Sequence, residues 1–156
     1  MQLPPLRIRN LETRFPILQA GMGVRVGNSA LASAAVRLGA FGTISSVGLG
    51  DKEKSKTDFV NESNRVLSEE IRKARELSGG AGPIGVNAMV ALSNYEAIIR
   101  QSVEDRVDFI VSGAGLPLPL PEYVGSADIA LIPVISGGRA LAVLLKAWKK
   151  KYDRSP

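Results

Sequence analysis

Short apolar runs alternate with amphipathic stretches along most of the chain. Each run has the length of a buried strand, and each amphipathic stretch repeats its apolar residues at the spacing of a helix. The predicted strands are 16–20, 40–45, 83–89, 107–112 and 129–136, and the predicted helices are 29–38, 62–77, 93–103 and 139–152. The strands begin about two dozen residues apart, with one longer interval, and this order predicts repeated strand–helix units with parallel strands.

The first predicted helix has recognisable ends and an apolar face. Asn28 is a favourable N-cap, and Gly39 is a favourable C-cap. Apolar residues at i, i+3, i+4 and i+7 predict the face that is buried. Its members are Leu31, Ala34, Ala35 and Leu38. The polar stretch 46–59, which includes the charged residues 51–54, predicts a loop or lid before the second helix.

Five strand–helix units fit two α/β architectures. One is an open flavodoxin-like sheet, in which the first strand lies between two others. The other is a partial (βα)8 TIM barrel, of which this chain supplies the first five units with parallel strands. A partial barrel leaves the outer edges of its first and fifth strands unpaired, which predicts a homo-oligomer that covers them. Segment 6–11 is predicted to be an edge strand or a lid across one end of the barrel.

Length and composition narrow the class of protein. The chain of 156 residues is predicted to form a single domain, 1–156, and its 45% hydrophobic and 22% charged residues are typical of a globular protein. It contains no cysteine and no histidine. Disulfides, a Ser-His-Asp triad and a histidine zinc site are therefore excluded within these residues.

The net charge of +5 is concentrated near the end of the last predicted helix, where the helix dipole favours cations. The chain lacks the basic stripe with interleaved aromatic residues that marks a nucleic-acid module, so we expect no nucleic-acid partner. No apolar run reaches the roughly 18 residues of a membrane span, and the N-terminus lacks a signal-peptide pattern. We therefore expect a cytoplasmic protein that makes no membrane contact.

The residues that follow the predicted strands are small or carry amides. They are Gly21-Met22-Gly23, Ser45-Ser46, Asn87-Ala88-Met89, Ser112-Gly113-Ala114-Gly115 and Ser136-Gly137-Gly138. None is an acid or a base, so this rim suits a planar, hydrogen-bonding ligand better than it suits hydrolysis. A flavin ring fits these residues, with its apolar face against Met22 and Met89.

Asn87 is the strongest single candidate for ligand binding. Its carboxamide is able both to donate to and to accept from the pyrimidine edge of a flavin. The alternative for Asn87 is a local turn bond. For 112–115 the alternatives are a lining of the flavin ring and a simple glycine-rich exit turn.

Five motifs in register resemble one family. They are PILQAGMG at 16–23, GAFGTI at 39–44, IGVNAM at 84–89, DFIVSGAG at 108–115 and IPVIS at 132–136. Together they resemble the nitronate monooxygenase family, formerly the 2-nitropropane dioxygenases. The related flavin-dependent enoyl-acyl-carrier-protein reductases share the pattern, so enoyl reduction is the alternative to the favoured nitronate oxidation.

The resemblance implies an FMN-dependent (βα)8 barrel with the flavin at the carboxyl ends of the strands. In such an enzyme a small alkyl nitronate is oxidised by the flavin, which O2 then reoxidises. Gly21, Met22, Gly23 and Asn87 would contact FMN. Ser112, Gly113, Ala114 and Gly115 would lie near the ring or the substrate.

This chain departs from the family pattern in one large respect. The family's catalytic histidine follows the sixth strand, and the loops that bind the FMN phosphate follow later strands; neither is found in these residues. No catalytic residue is therefore assigned, and we expect an incomplete barrel with little turnover by itself. A non-catalytic barrel fragment that associates with itself is the alternative of another class.

Overall fold

Six strands and five helices follow one another in the computed structural model, which describes residues 3–50 and 55–156. They are β1 (Leu6–Ile8), β2 (Leu11–Thr13), α1 (Ser29–Arg37), β3 (Gly42–Ser45), α2 (Lys56–Ser78), β4 (Ile84–Met89), α3 (Tyr95–Glu104), β5 (Phe109–Gly113), α4 (Leu120–Val124), β6 (Ala130–Pro133) and α5 (Gly138–Tyr152). The charged residues 51–54 of the predicted loop lie outside the described part. Within that part, no helix is both long enough and apolar enough to cross a membrane.

The central sheet is parallel and has the strand order β3-β4-β5-β6. Ser45 lies opposite Asn87, and Asn87 lies opposite Val111. Because the strands are parallel, their carboxyl ends meet at one edge, as the predicted rim requires. The predicted α/β class is therefore confirmed.

The segment 16–20 lies beside the outer edge of β3 but is not a full strand. Its one bridge joins Leu18 to Phe41. Phe41 N donates to Ile17 O at 3.0 Å, and Gln19 N donates to Phe41 O at 3.0 Å. The predicted strand thus has the right place and direction, but the backbone pairing stops after Gln19. Since this segment lies at the edge of the sheet, the flavodoxin-like order is wrong.

The sheet has two differently covered faces. Ile44, Val86 and Ile110 face the helices and form the larger core with them. Phe41 and Phe109 face the other side, where their rings meet edge to face with centroids 5.3 Å apart. The strands are thus apolar on both faces, as expected of a parallel sheet that is covered on both sides.

The N-terminal segment covers this second face. Strands β1 and β2 pair with each other as an antiparallel hairpin and not with the main sheet. Leu6, Ile8 and Leu11 pack against the cluster around Phe41. Arg9 Nη1 donates to Ile129 O at 3.1 Å, just before β6 begins. The hairpin therefore lies at the amino ends of the strands, the position predicted for a lid across one end of a barrel.

Helix α1 buries a different face from the one predicted. Its buried residues are Ser29, Ala32, Ser33 and Val36, whereas Leu31 is 40% exposed and Leu38 is 73% exposed. A Cβ on Gly42 would lie 2.3 Å from Ala32 O. Because α1 approaches β3 so closely at Ala32, a large side chain does not fit at that point, and Leu31 and Leu38 remain outside.

Beyond shifts of one or two residues, two boundaries differ from the prediction and one helix was not predicted. Helix α2 begins at Lys56, and not at 62, because the Ser55 hydroxyl accepts from Asp58 N as an N-cap. Strand β6 ends at Pro133 and not at 136. A short helix, α4, occupies part of the loop predicted between the fourth and fifth strands.

Candidate functional site

The rim of the site begins where Gly21 meets Asn87. Asn87 lies near the end of β4, and its Nδ2 donates to Gly21 O at 3.2 Å. A Cβ on Gly21 would lie 2.2 Å from the Asn87 Cβ, so this close approach requires glycine. The two residues are 66 positions apart, so this bond is not the local turn bond considered as the alternative for Asn87.

The side-chain oxygen of Asn87 is the acceptor that the rim offers to a ligand. Its Nδ2 is used by Gly21, and its main-chain oxygen accepts from Ser46 N at 3.1 Å. No described donor bonds to its side-chain oxygen, and the residue is only half buried. The free oxygen is therefore available to accept a hydrogen bond from a ligand.

The loop 20–27 carries the other glycines of the predicted site. Gly27 N donates to Met22 O at 3.0 Å and closes a turn, in which Gly23 has a φ of +61°. The Met22 side chain is 64% exposed. Ser45 N donates to Gly27 O at 2.7 Å, which fastens the end of this loop to β3. The loop therefore places backbone at Gly23 and the exposed Met22 thioether beside Gly21, and the exposed side chains of Val24, Arg25 and Val26 follow in the same loop.

The predicted site residues at the end of β5 do not all face the rim. The Ser112 hydroxyl bonds to Tyr95 OH at 2.8 Å on the helix side, where both residues are buried. Burial raises the pKa of Tyr95 to about 12, and the bond to Ser112 opposes that rise. The Ser112 side chain thus points away from the rim, and only the adjoining residues present surface there.

Gly113, Ala114 and Gly115 form a turn that is hydrogen-bonded to the end of β4. Ala114 has a φ of +55°, and Gly115 has a φ of +139°, a conformation that favours glycine. Val90 N donates to Gly113 O at 2.8 Å. Residues 113–115 thus form a glycine-rich turn held to the end of β4, and the lining of a flavin ring by these residues stays a prediction.

An open, mainly apolar cleft of about 470 Å³ adjoins this turn. Its lining comes from the ends of β5 and β6 and the start of α5. The lining residues are Ala114, Gly115, Leu116, Val134, Ile135, Ser136 and Ala140. None of them is charged, and Ser136 is the only side chain among them with a hydrogen-bonding group. The cleft therefore suits an uncharged, apolar part of a ligand.

Two polar residues below the rim were not predicted as functional. Thr43 is fully buried on β3, and its hydroxyl has no hydrogen-bond partner among residues 3–50 and 55–156. Thr43 N donates to the side-chain oxygen of Gln19 at 2.8 Å. The alternation Phe41-Thr43-Ser45 was the available signal, because it places hydroxyl side chains on the face that carries Phe41.

Comparison with known proteins supports the fold. No protein-family model and no curated protein matches the chain. Among solved structures, a single-residue variant of FabK from Thermotoga maritima is similar, with a TM-score of 0.71 and 25% identity over 91% of this chain. FabK from the same organism without that substitution gives a TM-score of 0.69 and 24% identity.

These structures identify the architecture as part of a TIM barrel. The match covers 44% of the first FabK chain and 42% of the second. The chain thus spans less than half the length of the structures it resembles. The predicted partial (βα)8 barrel with parallel strands is confirmed at this level.

Proposed function

We propose that the rim binds the ring of a flavin and that this chain supplies the ring-binding part of a flavin-dependent oxidoreductase. The observation that carries the proposal is the contact between Gly21 and Asn87. It places bare backbone beside a carboxamide whose oxygen accepts from no donor in the described part of the chain, which matches the donor and acceptor edge of a flavin ring. The motif resemblance and the likeness to FabK support the same class.

The residues fit the ring better than the phosphate of FMN. Met22 and Met89 offer apolar surface, and Gly21, Gly23 and Asn87 offer polar contacts at the rim. None of these residues is positively charged, so none pairs with a phosphate. The flavin supplies the electron-transfer chemistry when bound, and the residues of this chain hold and orient it.

Titration with FMN and with riboflavin tests the proposal. We expect both to bind, with similar dissociation constants, as measured by quenching of flavin fluorescence. We expect Asn87→Ala to weaken binding about tenfold, the equivalent of one hydrogen bond. Asn61→Ala on the exposed face of α2 is the matched control and should leave binding unchanged. A protein that quenches neither flavin would refute ring binding.

Two substrate classes remain candidates for the oxidoreductase. The motifs favour a small alkyl nitronate with O2, and the likeness to FabK supports an enoyl thioester equally well. Oxygen consumption with propyl nitronate would support the first class. NAD(P)H consumption with an enoyl thioester would support the second. We expect low turnover with either, since no general base lies among the rim residues.

Self-association is a second candidate function, and the sheet order favours it. β6 lies at the edge of the described sheet, and Val134 just beyond it is 56% exposed. A second copy covering this edge would protect its unpaired backbone groups from other contacts. Light scattering across a concentration series tests this, and a monomer at every concentration would contradict it.

A further inference from the structure

The pairing between segment 16–20 and β3 is interrupted by a side chain. Phe41 bonds to Ile17 and Gln19 on either side of Leu18, as in a regular parallel ladder. In the next rung of such a ladder, Thr43 N would donate to Gln19 O, and Gly21 N would donate to Thr43 O. Thr43 N donates instead to the Gln19 side-chain oxygen at 2.8 Å.

This exchange changes where the backbone goes next. Because the Gln19 side chain satisfies Thr43 N, the main chain after Gln19 is released from the edge of β3. Gly21 then reaches Asn87 on β4, the strand beyond β3. The pairing with β3 resumes only where Ser45 N donates to Gly27 O at 2.7 Å. The segment between them forms the loop that carries Met22 and Gly23.

We propose that Gln19 is a positioning residue for the flavin-binding rim: its side-chain oxygen replaces the main chain at Thr43 and allows Gly21 to fix the Asn87 carboxamide. The inference rests on the proposed function, because the ligand it serves is the flavin. Gln19 acts through Gly21 and Asn87 and need not touch the ligand. Its side-chain amide also donates to Ala20 O, which holds the carboxamide with its oxygen towards β3.

The requirement for an acceptor distinguishes this role from simple packing. Thr43 is fully buried, so loss of the Gln19 oxygen would leave a buried N–H without a partner. The least disruptive remedy is a return of the main chain towards β3, where Gln19 O is able to replace the lost acceptor. That movement would draw Gly21 away from Asn87.

The test compares Gln19→Leu, which removes the acceptor, with Gln19→Glu, which keeps it. A glutamate carboxylate loses the donation to Ala20 O, but either of its oxygens is able to accept from Thr43 N. Gln101→Leu is the matched control, because Gln101 lies on α3, away from the rim, where its side chain donates to Asp105. We expect Gln19→Leu to weaken flavin binding about tenfold. Gln19→Glu and Gln101→Leu should bind flavin as the parent protein does.

A second readout needs no flavin. In 15N NMR spectra of the ligand-free protein, Gln19→Leu should shift the side-chain amide signals of Asn87, and Gln19→Glu should leave them near their original positions. Unchanged Asn87 signals in Gln19→Leu would overturn the positioning role, as would equal losses of binding in the Leu and Glu variants. If the parent protein binds no flavin, the proposed function fails, while the NMR comparison still decides the role of Gln19. If Gln19→Leu does not fold, a Gln19→Glu protein with shifted Asn87 signals would overturn the inference.

Discussion

Substituting Gly21 by alanine tests the central contact of the rim most directly. The added Cβ would lie 2.2 Å from the Asn87 Cβ and 2.9 Å from its Cγ. Real Cβ atoms do not approach other carbons so closely, so the loop or β4 has to move. Forcing an extra carbon into a packed contact typically costs 1–3 kcal/mol. We expect a loss of about that size in the free energy of unfolding, and a loss of flavin binding.

The effect is steric and does not come from backbone strain. Gly21 does not have the left-handed φ that Gly23 and Gly115 have. Gly138→Ala is the matched control, because a Cβ there meets nothing within 4 Å and its backbone also lies outside the left-handed region. We expect that control to be neutral or slightly stabilising.

The identity of the nearest atom gives a sharper test. Because the closest contact is with the Asn87 Cβ, Asn87→Ala should not relieve Gly21→Ala, whereas Asn87→Gly should. Urea unfolding of the single and double variants, followed by circular dichroism, measures this coupling as a double-mutant cycle. Equal stabilities of Gly21→Ala and the parent protein would refute the reasoning, and so would an equal rescue by both Asn87 variants.

Three further predictions concern stability. Phe109→Ala should lower the free energy of unfolding by about 3–5 kcal/mol, because the ring is fully buried against Phe41; a loss below about 1 kcal/mol in urea unfolding would contradict that packing. Leu38→Ala should change the free energy of unfolding by less than about 0.5 kcal/mol, since Leu38 is exposed. A loss as large as that of a core residue would indicate that Leu38 is buried, as the sequence predicted. The raised pKa of Tyr95 stabilises the fold below pH 10 and loses that contribution as the pH rises through about 12. In pH-dependent unfolding monitored by circular dichroism, Tyr95→Phe should therefore flatten this alkaline loss, and an unchanged profile would exclude Tyr95 as its source.

The four strands of the main sheet were predictable because they are short apolar runs followed by glycine or polar residues. Because these strands are parallel, their carboxyl ends lie at the same edge of the sheet. The place of the rim was therefore also predictable. The inward face of α1 was not, because apolarity predicted Leu31 and Leu38 whereas packing selected Ala32. The deciding partner, Gly42, lies on another element, and its closeness to Ala32 is a tertiary feature that helical periodicity does not contain.

The rim shows the same division between local pattern and tertiary contact. The direction of the Ser112 side chain, towards the helices, was predictable from the alternation along β5, because Phe109 and Val111 face the other side of the sheet. The contact between Gly21 and Asn87 was not, because a regular first strand would have kept Gly21 at the edge of β3. It arises because Thr43 N bonds to the side-chain oxygen of Gln19, whereas a regular ladder would have it bond to the Gln19 main-chain oxygen. A binding site at the end of a parallel strand thus depends here on the point where the strand stops pairing, and one carboxamide sets that point.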